Sequence, residues 1–211
     1  MMKLYYSDTL APRKVCTFAR HVGAPVEFIY LRFEKGEHKT PAYLALNPNG
    51  KVPTLVDGEK VIWEADAILC HLAETAAPDY LPDADQQIEL IKWFSWNAQH
   101  LNRWGGELYF QYLIKPRFNI GPLDAATVEE AQRFYRNYAT VLDDHLKGHK
   151  WVMGDRPTIA DFSLSVTLGY RESAHLPLDG LKEIQRWHDQ LNEFAGWRDP
   201  WPDVPAQAAV A

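Results

Sequence analysis

The sequence predicts two domains, an α/β domain followed by an all-α helical one. Three observations predict this. Up to residue 76, short apolar strand-like runs alternate with helical stretches. Beyond residue 85, apolar residues recur only at steps of three and four. Between them, residues 77–85 read Ala-Pro-Asp-Tyr-Leu-Pro-Asp-Ala-Asp, the composition of a linker. The expected division is 1–76, a linker at 77–85, and 86–211. At 211 residues with 46% hydrophobic content, the chain can bury one large core or two small ones.

Taken in order, Lys3-Leu-Tyr-Tyr6 reads as the first strand. A helix follows Pro12, with Val15, Phe18, Ala19 and Val22 on one stripe, and stops near Gly23. Residues 26–31 form a second strand. The Gly-containing turn of Asn47-Pro-Asn-Gly50 runs through Val52-Pro53 into a third strand at 54–56, and Asp57-Gly58 is a strong hairpin signal into a fourth ending at Trp63. A helix opens at Glu64, with Ala65, Ile68, Leu69, Leu72 and Ala76 as its apolar positions. The order βαβ–α–ββα fits a thioredoxin-like sheet covered by helices.

In the second domain, Ile91, Phe94, Ala98, Leu101, Gly105 and Leu108 make one helical stripe. Val128, Ala131, Tyr135, Tyr138 and Leu142 make another; Ile159, Phe162, Val166 and Tyr170, then Leu181, Ile184, Trp187 and Leu191, repeat the period. Thr158-Ile-Ala-Asp161 has the form of a capping box and reads as a helix start rather than a catalytic group. The tail from Pro200 on, rich in Pro and Ala, reads as irregular.

A net charge of −6 argues against nucleic acid or an anionic membrane as partner, and no apolar run approaches a membrane span. The first residues lack the apolar segment of a secretory signal. Two cysteines, Cys16 and Cys70, form neither a disulfide framework nor a metal cluster, so no metal is expected and a reducing cytoplasm is the expected compartment.

The chemistry is most legible around Val52-Pro53, where a sharp bend into the sheet suits a cis X-Pro bond. Such a bend turns the Val52 amide and carbonyl outward to pair with an extended peptide, and the helix opening at Glu64 aims free N–H groups at the same region as a seat for a carboxylate. A site with these two features suits a small peptide. Lys35-Gly-Glu-His-Lys39 with Pro41 and Asn47-Pro48, and Gly154-Asp-Arg-Pro-Thr-Ile-Ala-Asp161, complete a pattern in one order along the chain. It resembles the cytosolic glutathione S-transferases, with features of the phi, theta and bacterial beta branches.

The resemblance implies a thioredoxin-like glutathione-binding domain and a helical domain that contributes the electrophile pocket. It also implies a homodimer and a detoxifying transferase that conjugates glutathione, its co-substrate, to an apolar or aromatic electrophile. A free thiol has a pKa of about 8.5, and lowering it by two units takes about 2.7 kcal/mol of thiolate stabilisation. A hydroxyl donor supplies this in serine-using relatives, at the position that falls on Thr9 when counted back from Val15. Ser7, Tyr5 and Tyr6 stay open as alternatives. The beta branch's cysteine position falls on Ala11, and Cys16 reads as a packed thiol, which disfavours a cysteine nucleophile.

By the same resemblance, Val52, next to Pro53, pairs with the cysteinyl backbone, and Glu64 accepts from the γ-glutamyl ammonium. His38, Lys39 and Lys51 surround the glycyl carboxylate. Ala65 stands where the family most often has a serine that holds the γ-glutamyl carboxylate, and Asp66 beside it reads as solvent-facing. Leu10, Asn102, Arg103, Trp104, Tyr109 and Tyr112 are candidates for the electrophile pocket. Two other readings stay open: a glutathione-dependent disulfide reductase or peroxidase on this scaffold, and a non-catalytic binding or assembly module, which Ala65 favours.

Overall fold

Alternation of side chains along β1 (Met2–Tyr6) buries Met2, Leu4 and Tyr6 and leaves Lys3 exposed, so the strand is committed to one face. The structure, a computed structural model, describes residues 1–202; the expectation for the tail falls beyond Pro202 and there lies outside the described residues. β1 is followed by α1 (Leu10–His21), β2 (Val26–Tyr30), α2 (Pro41–Leu46), β3 (Thr54–Asp57), β4 (Lys60–Trp63) and α3 (Ala65–Ala76). The sheet order is β2-β1-β3-β4, with β1 parallel to β2 and antiparallel to β3, and β3 antiparallel to β4. This is the mixed, thioredoxin-like sheet expected from the element order.

Register decides where the loops meet. Tyr6 pairs with Tyr30, Tyr5 with Thr54, and Thr54 with Trp63. The exits of β1, β2 and β4 and the entry to β3 therefore share one end of the sheet. At that end lie the loop 7–9, the segment after Tyr30, Val52-Pro53 and Glu64.

Two compact units result. One is Met1–Leu81 together with the chain from Ala195; the other is Pro82–Phe194. The expected linker is two short turns, and Tyr80 in the first is tied to α1: its hydroxyl is hydrogen-bonded to His21 Nε2 at 2.6 Å and its ring meets Phe18 edge-on. α10 (Ala195–Arg198), inside the expected second domain of 86–211, packs on α1 in the first unit.

The second unit holds α4 (Gln87–Trp96), α5 (Asn102–Tyr109), α6 (Lys115–Phe118), α7 (Ala125–Leu146), α8 (Ile159–Leu164) and α9 (Lys182–Leu191). Wider, π-type turns at Asn97–Leu101 and Phe110–Ile114 join α4 to α5 and α5 to α6. The buried stripe there runs Leu90, Trp93, Asn97, Leu101, Gly105, Leu108, so the expected positions Ile91 and Ala98 are exposed instead. Apolar spacing alone could not reveal this phase, because a polar residue, Asn97, holds a core position through bonds to the Ser163 carbonyl (3.1 Å) and hydroxyl (3.2 Å). The capping box forms at α8: Asp161 Oδ2 accepts from Thr158 N (2.8 Å), and Oδ1 accepts from Val152 N and Trp187 Nε1 (2.9 Å each). No helix among the described residues is long and apolar enough to cross a membrane.

Candidate functional site

The turn before β3 is built by a buried polar network. Tyr43 of α2 donates its hydroxyl to Lys51 O at 2.6 Å and shares a hydrogen bond with Thr54 Oγ1 at 2.8 Å. Asn47, 2% exposed, donates to the same two oxygens at 2.9 and 3.0 Å, and its own Oδ1 accepts from Asn49 N at 3.1 Å. Sequence reasoning missed these roles; the signal available was Asn47-Pro-Asn-Gly50 itself, since Asn side chains bond local backbone in turns. Val52–Pro53 is cis. Among the described residues neither the amide nor the carbonyl of Val52 takes part in a hydrogen bond, while its side chain packs with Leu31 and Tyr43. That peptide unit is available to an extended partner.

Thr9 is the N-cap of α1, with extended backbone (φ −128°, ψ 171°), yet its side chain makes no capping hydrogen bond. The alternatives have other engagements. Tyr6 is 1% exposed and donates its hydroxyl to Pro202 O at 2.7 Å. Tyr5 packs beside Tyr43 at 5.7 Å between ring centroids. Ser7 is 1% exposed, with its hydroxyl 3.5 Å from Asp8 Oδ1. Cys16 is wholly buried in α1, and burial pushes its thiol far up, away from the thiolate form.

Glu64 adopts φ 73°, ψ 118°, a conformation rare outside glycine that costs roughly 1–3 kcal/mol. It is exposed and makes no side-chain cap. The first bond of α3 runs from Ile68 N to Glu64 O, so the amides of residues 65–67 precede the helical ladder. Ala65 is buried. Asp66 is not solvent-facing: buried Lys14 pairs with it at 2.7 Å. The carboxylate in the first turn of α3 is thereby paired with a buried cation.

His38 and Lys39 are brought against Gly50, where an added Cβ would lie 2.7 Å from Lys39 Nζ and 3.1 Å from His38 O. Lys51, exposed, is the next residue. The His38 ring stacks on Phe33 at 4.1 Å, and its Nδ1 is buried without a partner. Burial first, and then the Lys39 charge, hold its imidazole below the ordinary value. Phe33 was not anticipated, because nothing local ties it to His38 five residues on.

The pocket candidates are divided between the units. Leu10 is half-buried at the start of α1. In the second unit, Asn102 has a buried Oδ1 without a partner, and Trp104 stacks on Phe134 at 4.6 Å with the Arg103 guanidinium over its face. Tyr109 is buried against Tyr170, and Tyr112 lies against His175. An open cleft of about 590 Å³ in the same unit is lined by Arg171, His175, Leu178 and Lys182 among others, and none of these was expected at the site.

The first unit thus brings together an unused hydroxyl at a helix start, an unpaired peptide group, a helix N-terminus beside a strained Glu, and a histidine with an unmet ring nitrogen. The chain matches the family described as glutathione S-transferase, N-terminal domain, over residues 2–74, and glutathione S-transferase, C-terminal domain, over residues 107–194. It is 34% identical over 161 residues to glutathione S-transferase 3 of Zea mays, covering 74% of this chain and 72% of that one. It is 32% identical over 196 residues to the probable glutathione S-transferase GSTF2 of Oryza sativa subsp. japonica, covering 90% and 91%. A solved structure of glutathione S-transferase-I bound with the ligand lactoylglutathione superposes with a TM-score of 0.84 at 25% identity, over 94% of this chain and 97% of that one.

Proposed function

The chain belongs to the glutathione S-transferase family, and on that premise we propose that Thr9 stabilises the thiolate of glutathione for attack on an electrophilic carbon. The observation that carries this reading is the Thr9 hydroxyl: it stands at a helix N-cap without serving as the cap. A hydroxyl donating to a sulfur anion contributes about 1.5–3 kcal/mol, and the start of α1 adds a favourable field. The thiolate forms the new C–S bond, and the leaving group departs with the electron pair of the bond that breaks.

The remaining residues bind and orient the peptide. Val52 pairs with the cysteinyl backbone beside Pro53. Glu64 accepts from the γ-glutamyl ammonium, which gives its unfavourable backbone a purpose. The amides of Ala65 and its successors face the γ-glutamyl carboxylate without the family's usual hydroxyl. His38, Lys39 and Lys51 receive the glycyl carboxylate. Leu10, Asn102, Arg103, Trp104 and Tyr109 are proposed to contribute to recognition of an apolar or aromatic electrophile. This chemistry requires reduced glutathione, and hence a reducing cytoplasm.

We also propose a homodimer. Its supporting observation is apolar surface left exposed in both units: Val61 at 39%, Trp63 at 43%, Ile88 at 76% and Ile91 at 57%. Light scattering tests this, and a stable 24.2 kDa species would refute it.

Calorimetric titration with glutathione, followed by turnover of an activated aryl halide, tests the main reading. Saturable binding and conjugation are expected. Absence of binding overturns the reading in favour of the assembly module. Binding with reduction of a mixed disulfide or hydroperoxide, but no conjugation, supports the redox alternative.

A further inference from the structure

α1 carries a property that its own sequence does not explain. Residues 12–19 are all buried, including Arg13 at 7% exposure and Lys14 at 5%. An amphipathic helix on a sheet leaves one face in water. This helix has α3 on one side and the C-terminal strap, residues 195–202, on another.

The strap is bonded in detail. Arg13 donates to Trp197 O at 2.7 Å, and its guanidinium lies 5.3 Å from the centre of the Trp197 ring. At Gly196 the strap meets the α1 backbone, since a Cβ there would lie 2.5 Å from Thr17 O. Arg20 donates to Trp201 O at 2.7 Å and pairs with Asp199 at 3.1 Å. Tyr6 donates to Pro202 O at 2.7 Å, and its ring stacks on Trp201 at 6.1 Å with 10° between planes.

Two of these contacts bracket Thr9. Tyr6 is the last residue of β1, just before the loop 7–9, and Arg13 lies in the first turn of α1, just after it. Arg13 is also joined to Thr9 directly, its amide donating to Thr9 O at 3.2 Å. A loop of three residues held at both ends has little freedom to reorient its side chains.

We propose that the strap is a positioning element for Thr9, holding both ends of the loop that carries its hydroxyl through Trp201 and Pro202 on Tyr6 and Trp197 on Arg13. This rests on the reading of Thr9 as the thiolate donor. The strap does not touch the substrate; it acts through the aim of one hydroxyl. A loosened strap leaves the peptide-binding groups at Val52 and Glu64 in place and misdirects only the hydrogen bond to sulfur.

The test uses the full chain with Arg13→Met and, separately, Trp201→Ala. Ultraviolet titration of the thiolate in the glutathione complex should show the thiol pKa raised by about half a unit to one unit. kcat near neutrality should fall about 1.5- to threefold as the thiolate fraction drops, with KM for glutathione unchanged within error. In a Thr9→Ala background the same substitutions should add nothing, which a merely structural role would not produce. His71→Gln breaks the 2.9 Å pair with Asp57, away from the strap, and serves as the control for general loosening of this unit.

Arg13 is buried, so if Arg13→Met does not fold, Trp201→Ala on the half-exposed strap carries the test. Unchanged thiol pKa in Trp201→Ala, with glutathione bound as in the parent, overturns the strap inference and leaves the Thr9 reading standing. An equal rise in His71→Gln also overturns it. If the parent chain binds no glutathione, both fall together.

Discussion

Thr9→Ala separates a catalytic hydroxyl from a structural one. A threonine at an N-cap ordinarily bonds the free amides of the first turn, and its replacement by alanine costs about 0.5–2 kcal/mol of stability. Here the side chain makes no such bond, so folding stability should change by less than about 0.5 kcal/mol. The loss should appear in the complex with glutathione instead. Removing one hydrogen bond to a charged acceptor costs about 1.5–3 kcal/mol, equivalent to a rise of about one to two units in the pKa of the bound thiol. Glutathione affinity should stay within a few-fold, because the peptide contacts lie elsewhere. Thiolate absorbance titrated against pH measures the first quantity, calorimetry the second and urea unfolding the third. Thr9→Ser should keep the donor and a pKa close to the parent's. An unchanged thiol pKa in Thr9→Ala, or a stability loss above about 1 kcal/mol, would refute the assignment.

Other predictions follow from the same geometry. Glu64→Ala keeps the unfavourable φ of 73° but removes the carboxylate, so it should weaken glutathione binding by about 1.5–3 kcal/mol with little effect on folding; equal binding would mean that the γ-glutamyl end lies elsewhere. Ala65→Ser should tighten binding by up to about 1.5 kcal/mol, since Lys14 already neutralises Asp66; weaker binding would show a pocket rebuilt for another ligand. The His38 imidazole is held below its ordinary 6.5 by burial and Lys39, so the unfolded chain binds that proton more tightly and stability is lost as pH falls through 6.5. Urea unfolding at about pH 7.5 and about pH 5.5 should show the parent losing more stability than His38→Gln, and equal losses would contradict this. Asp161→Asn leaves at least one of three N–H groups facing an amide NH₂ and should cost about 3 kcal/mol of unfolding free energy; a loss under about 1 kcal/mol would mean the box is not holding α8.

Much of this molecule follows from local chemistry. The Asp57-Gly58 hairpin, the helix opening at Glu64 and the capping box at Thr158 each rest on residues a few positions apart, and the strand–helix order they punctuate leaves few sheets to build. Val52 and Glu64 stand out through the turn and the helix start they flank, whereas Thr9 is singled out only by the resemblance to serine-using relatives, counted back from Val15. Tertiary structure alone decided that these positions meet, because the register of β1, β3 and β4 sets it. It also decided what covers α1. Arg13 and Lys14 are buried there, and their partners lie 184 and 52 residues away. Apolar periodicity reports the face a helix turns to its nearest layer. It is silent about a second face closed by polar side chains whose hydrogen-bond partners come from distant chain, which is why the strap, the neutralised Asp66 and the buried Asn97 became visible only in three dimensions.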